Sequence, residues 1–197
     1  MKKKIVLLAA LLMTAAALWA CSHGVKDKMD NEALEEEFDN APAWVLTGKS
    51  KDDLFAAVGS AVIGKGGKQF AHTEAMANGR SELARQISVK VQGLVNNFTQ
   101  QTGVGADQTL DAFARQVSKQ VSDETLSGSM QKDIWISPSK ELYVLMVLDK
   151  NAVESSVRRQ LLNSYQQNSA KWQEFQAKNG NEALDRELKA AFDGPTP

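Results

Sequence analysis

The sequence is poor in the residues that most enzymes and metal sites are built from. One cysteine in 197 residues excludes an intrachain disulfide. The two histidines, His23 and His72, stand far apart. They form neither an H-E-x-x-H pair nor a zinc-binding cluster, and no G-x-S-x-G elbow is present. The members of a Ser/His/Asp set can lie far apart in a chain, so that chemistry stays open in principle. His72, its only candidate base within the folded part, reads instead as a surface residue near the start of a helix. No catalytic, cofactor-binding or metal-ligating residue is assigned, and the chain reads as a non-enzyme. Past the first twenty residues there is no long apolar run, hence no second membrane-inserting segment.

The amino terminus is different. Lys2, Lys3 and Lys4 precede an apolar run from Ile5 to Leu18, broken only by Thr14, with small residues gathering toward its end. This is the pattern of an export signal, shorter than the roughly 20 residues a spanning helix needs. Cutting between Ala20 and Cys21 leaves 177 of the 197 residues, enough for one domain with a sizeable core and some peripheral helix. The cut lowers the basic residues from 23 to 20 against 24 acidic ones, for a formal charge of −4. Nucleic acid and anionic lipid surfaces are disfavoured as partners.

Leu18-Trp19-Ala20-Cys21 resembles the lipobox of bacterial lipoproteins, with Trp19 an unusual occupant of its place. The resemblance implies that the Cys21 sulfur receives a diacylglycerol and its freed amino group a third acyl chain. Each buried CH₂ is worth about 0.8 kcal/mol, so several chains on one residue anchor a domain to a bilayer. An ordinary signal peptide with an incidental thiol is the alternative. Ser22, where a retained lipoprotein of this class usually has Asp, implies transport onward to the outer membrane.

Residues 22–40 are polar, acid-rich toward their end, and read as a tether. Glu35, Glu36 and Glu37 are taken as solubilising charge, not a metal site. Order is expected from Pro42-Ala43-Trp44, where the proline enforces an extended entry and Trp44 anchors a core edge.

Gly59 to Lys65 fills the first seven places of G-x-x-x-x-G-K-[ST], but the eighth is Gly66. A phosphate loop there would lack the hydroxyl that holds magnesium. A strand end followed by a glycine-rich turn fits better. Leu54 to Ile63 accordingly reads as a buried strand, with small residues admitting a helix close by. Phe70, Ala77, Ala84, Ile87, Val91, Leu94 or Val95, and Phe98 mark a long amphipathic helix, although ISVKV within it also alternates like a strand. Gln100 to Ala106 reads as a loop, and Leu110, Phe113, Val117 and Val121 mark a second helix. Met130 to Ile136 and Leu142 to Leu148 form a hairpin through Ser137-Pro138-Ser139-Lys140. Its second strand is apolar on both faces and is placed centrally. Val153, Val157, Leu161 and Tyr165 mark another helix, with Asn151 as its cap. Asn179-Gly180 interrupts the helical composition that follows. Arg80, Glu82 and Arg85 read as a solvated helical face with i,i+3 pairing.

Pro42-Ala43-Trp44-Val45, then Val58-Gly59-Ser60-Ala61, then Ala75 to Ala84 with Ile87 and Val89 downstream, together resemble the LPP-twenty family of bacterial outer-membrane lipoproteins. The resemblance covers about Pro42 to Lys150. It extends to a flagellar basal-disc lipoprotein and to part of a flagellar outer-ring protein. It implies a structural or assembly role in the envelope, with no catalytic residue to carry over, and it makes Gly59 a packing glycine. The division expected is a signal peptide at 1–20, an acidic tether at 21–41, an LPP-twenty-like domain at 42–165 and a helical extension at 166–197. The fold expected is α+β, a small sheet of about three or more strands packed by long helices in the order β-α-α-β-β-α. Expected partners are the membrane, through the lipid on Cys21, and either further copies of the chain or envelope and flagellar proteins. The lipid anchor places the chain on the periplasmic face or cell surface of the outer membrane. A periplasmic binding or hydrolytic module acting on a cell-wall fragment or another small ligand, with a pocket near Trp44 and the GKGG turn, is the alternative.

Overall fold

A computed structural model describes residues 34–104 and 110–193. The chain divides into two compact units, Met1–Ala41 with Ser137–Ser139, and Pro42–Ile136 with Lys140–Pro197. In the first, residues 34–38 are helical. The Glu37 carboxylate accepts hydrogen bonds from the Ser139 hydroxyl at 2.5 Å and the Ser139 backbone N–H at 3.1 Å. Hydrogen bonds from the Ser137 and Ser139 hydroxyls hold its pKa below the ordinary value.

The second unit carries the fold. Its elements are α1 (Ala43–Thr47), β1 (Phe55–Val62), α2 (Gly67–Thr102), α3 (Leu110–Thr125), β2 (Met130–Ile136), β3 (Glu141–Leu148), α4 (Lys150–Gln166), α5 (Ser169–Ala177) and α6 (Gly180–Asp193). The core order from β1 to α4 is β-α-α-β-β-α, and the class is α+β. The sheet runs β1-β3-β2, antiparallel throughout. The strand apolar on both faces, β3, is the central one, paired with β1 on one side and β2 on the other.

Strand side chains alternate, so one face presents Phe55, Ala57, Gly59 and Ala61 of β1 beside Leu148, Met146, Val144 and Leu142 of β3. All are buried, and α2 covers them. The approach is close at Gly59. A Cβ there would lie 2.0 Å from the Ala75 carbonyl oxygen and 2.3 Å from the Gly79 nitrogen. The expected packing glycine is therefore real, and its partners are Ala75 and Gly79.

The inward stripe of α2 matches the expected one at Ile87, Val91, Leu94, Val95 and Phe98 and departs from it over the first half of the helix. Ala71, Ala75, Gly79, Leu83, Ile87 and Val91 are buried at intervals of four. Phe70 is 64% exposed, Ala77 is exposed and Ala84 is half-buried. The helix meets the sheet through its smallest residues, since backbone approach excludes large ones; the Phe70 ring lies against Gly66 instead. A residue advances about 100° around a helix, so a stripe at fours precesses by about 40° per step. The buried side thus rotates along α2: its start faces the sheet, while further along it packs against α3 and α6. ISVKV is helical throughout, its Ile87 and Val91 four apart on the buried stripe. The helix also runs past Gln100 to Thr102, where Gly103 at φ 72° caps it by donating to the Thr99 carbonyl at 2.7 Å.

In α4, Val153, Val157, Leu161 and Tyr165 are buried as their spacing requires. Its cap is Asp149, not Asn151: the Asp149 carboxylate accepts from the Asn151 backbone N–H at 2.9 Å. A carboxylate at this position also faces the positive end of the helix dipole. Asn179, at φ 51°, turns the chain between α5 and α6. Phe175, Leu184, Leu188 and Phe192 then join the main core, with Phe175 stacked on Tyr165 at 5.2 Å and on Trp172 at 5.3 Å. Burial pushes the Tyr165 pKa up to about 12.

Candidate functional site

The phosphate-loop reading fails on position. Gly59 lies mid-strand, pressed against α2, and the seven-residue match runs from strand interior into turn. It does not wrap an open cradle. Trp44 packs beside Ala56, Leu145 and Val147 on the second face of the sheet, and its indole N–H donates to Asp133 at 2.8 Å. His72 is half-buried and shares a 2.5 Å hydrogen bond with Gln131. Arg85 forks onto Glu82 through Nε at 2.8 Å and Nη2 at 2.5 Å, the i,i+3 pair expected. Arg80 instead reaches Ser129 at 3.2 Å. Ala20, Cys21 and Ser22 lie outside the described residues. Among the described residues no cluster of His, Cys, Asp or Glu could hold a metal ion.

What the structure does form is a groove of about 970 Å³ along the outer edge of β1. The 47–54 loop makes one wall and Glu82, Gln86 and Lys90 of α2 another, and Lys150 with Phe192 and Asp193 of α6 also lines it. Neither Trp44 nor the GKGG turn lines it. The polar wall follows from helical spacing: 82, 86 and 90 each precede by one a buried residue of the stripe, Leu83, Ile87 and Val91. They therefore lean over the strand edge. Gln86 donates its amide to the Ala56 carbonyl at 3.0 Å, and Asn78, two turns earlier, to that of Ser60 at 2.9 Å.

The acids of the groove are paired. Asp53 accepts from Lys132 at 2.5 Å and from Ser50 at 2.5 Å. Burial pushes its pKa up, yet these hydrogen bonds outweigh that and hold it below 3.8. Asp52 lies 3.7 Å from Lys132, and Asp193 accepts from Lys150 at 2.6 Å. Hydrogen bonding to Asp193 in turn raises the Lys150 pKa. Lys90 differs: its described contact is the face of Phe192, 5.7 Å from ammonium to ring centroid, and burial pushes its pKa down. Sequence reasoning missed Lys90, Gln86 and Phe192. A polar stripe one residue before the buried one was the available signal; the arrival of α6 beside it carried none.

The family model described as LPP20 lipoprotein matches residues 42–149, more than half of the chain. No curated protein matches the chain. The matched stretch contains β1 and the α2 wall of the groove, whereas Lys150, Phe192 and Asp193 lie beyond it.

Proposed function

The chain belongs to the LPP20 lipoprotein family, and on that premise we propose that it is an outer-membrane protein, lipid-anchored at Cys21, with a structural or assembly role in the envelope. Family membership makes it a lipoprotein of the envelope, and the family is not one of known enzymes. The observation that carries the finer reading is a matched domain at 42–149 preceded by Leu18-Trp19-Ala20-Cys21, with Ser22 directly after Cys21. No helix among the described residues is long and apolar enough to cross a membrane; the attachment in this reading is the covalent lipid on Cys21. Its partners are further copies of itself or envelope proteins, flagellar components among them.

Labelling growing cells with an alkyne fatty acid, followed by membrane fractionation, tests the anchor. Wild type should carry the label and sediment with the outer membrane. Cys21→Ser should remain an uncleaved, unlabelled precursor, since no thiol is left to acylate. Equal labelling of both would overturn the anchor, and label confined to the inner membrane would overturn the location.

A further inference from the structure

We propose that the groove beside β1 binds the carboxyl terminus of an extended peptide, its main chain paired along the strand edge and its terminal carboxylate seated on Lys90. This site does not depend on the lipid anchor. The first support is the orientation of the strand. Ala56 and Ser60 use their carbonyls to accept from Gln86 and Asn78 of α2, so β1 residues of that parity turn their main chain away from β3. Val58 lies between them with the same parity. An extended chain meeting such an edge pairs with it as a further strand, and the Ala56 carbonyl keeps one lone pair for it.

Direction follows from the same contacts. Gln86 reaches Ala56 and Asn78 reaches Ser60, so four residues of helix match two of strand and Lys90 falls at the Leu54–Phe55 end. The Phe192 ring beneath its ammonium, 6.1 Å from that of Phe55, places it there independently. A segment running antiparallel to β1 brings its carboxyl terminus to this end. Phe192 and the Lys150–Asp193 pair line the groove beside Lys90 at this end.

Charge selects the terminus. The groove's carboxylates already hold cations, whereas half-buried Lys90 has lost hydration and makes no ion pair among the described residues. A carboxylate restores what burial removed, as a charge-assisted hydrogen bond in a poorly hydrated site.

The test uses the full-length chain, purified in detergent and immobilised, with two pools of acetylated pentapeptides randomised at every position. One pool ends in free carboxylates and the other in amides, and retained peptide is quantified by mass spectrometry. The acid pool should be retained saturably and at least tenfold more than the amide pool. Lys90→Gln should bring acids down to the level of amides, while Lys90→Arg keeps most of the preference; thermal melting of each variant reports that the fold is intact. No saturable retention of either pool, equal retention of both, or a preference that survives Lys90→Gln in a folded protein would each overturn the assignment.

Discussion

The two faces of the sheet are closed by different means. Under α2, eight alternating positions of β1 and β3 are buried, and the helix backbone approaches β1 until Gly59 has no room for a methyl group. On the other face Ala56, Leu145 and Val147 are buried beneath Trp44 and Val58, themselves half-exposed, while Val62 and Met130 are 66% and 65% exposed. One face is sealed by main chain against main chain. The other is sealed by one indole and by polar ties from the segment before β1 to β2: Trp44 to Asp133, and Asp53 to Lys132. Backbone contact tolerates no added atom, whereas a side-chain seal gives way locally. Stability should therefore be far more sensitive on the first face.

Gly59→Val would break this contrast most severely. Its side chain meets backbone atoms of Ala75 and Gly79, which cannot swing aside as a side-chain tip does. Urea unfolding should show a loss of about 3 kcal/mol or more. A Gly59→Val protein as stable as wild type would mean that α2 does not sit on β1. Trp44→Ala probes the second face. Because the indole is half-exposed and bonds to an exposed carboxylate, the expected loss is about 1–2 kcal/mol. A larger loss than that of Gly59→Val would invert the ranking of the faces.

The smallest effect is expected at the Asp53–Lys132 tie. Asp53 is more acidic in the fold than its ordinary 3.8, so on acidification the unfolded chain takes up its proton first. The contribution of the tie is complete well above that value, and fades as pH falls through the unfolded pKa and then the folded one. Comparing urea midpoints at pH 7 and pH 3 should therefore give a smaller drop for Asp53→Asn than for wild type. An identical drop would mean that the tie does not form in solution.

Much of this arrangement was legible in the chain. The alternating apolar hairpin strands, the small residues of β1 and the fours of α4 each express a local periodicity that holds wherever the element packs. The stripe of α2 is legible over its second half, where Ile87, Val91, Leu94, Val95 and Phe98 are buried as their spacing requires, but not over its first. Phe70 and Ala77 face out, while Ala71, Ala75 and Gly79 face in. Size signals burial only when the neighbour leaves room; against a strand approached this closely, smallness is the signal. The spacing points to Asn151 as the cap of α4 where Asp149 provides it, a shift of two residues that periodicity does not resolve.

The sequence by itself determined that the chain is α+β, that β3 is central, that Gly59 is a packing position and that no metal or nucleophile motif is written in it. These follow from composition and from patterns a few residues long, which act before distant segments meet. Only the tertiary structure decided that the 47–54 loop, Lys90 and Phe192 would share a groove. Lys90 and Phe192 stand 102 positions apart in the sequence. Their meeting depends on where α2 crosses β1 and on how Asn179 turns α6 back onto the core, quantities set by the packing of many side chains at once and by no single stretch of chain.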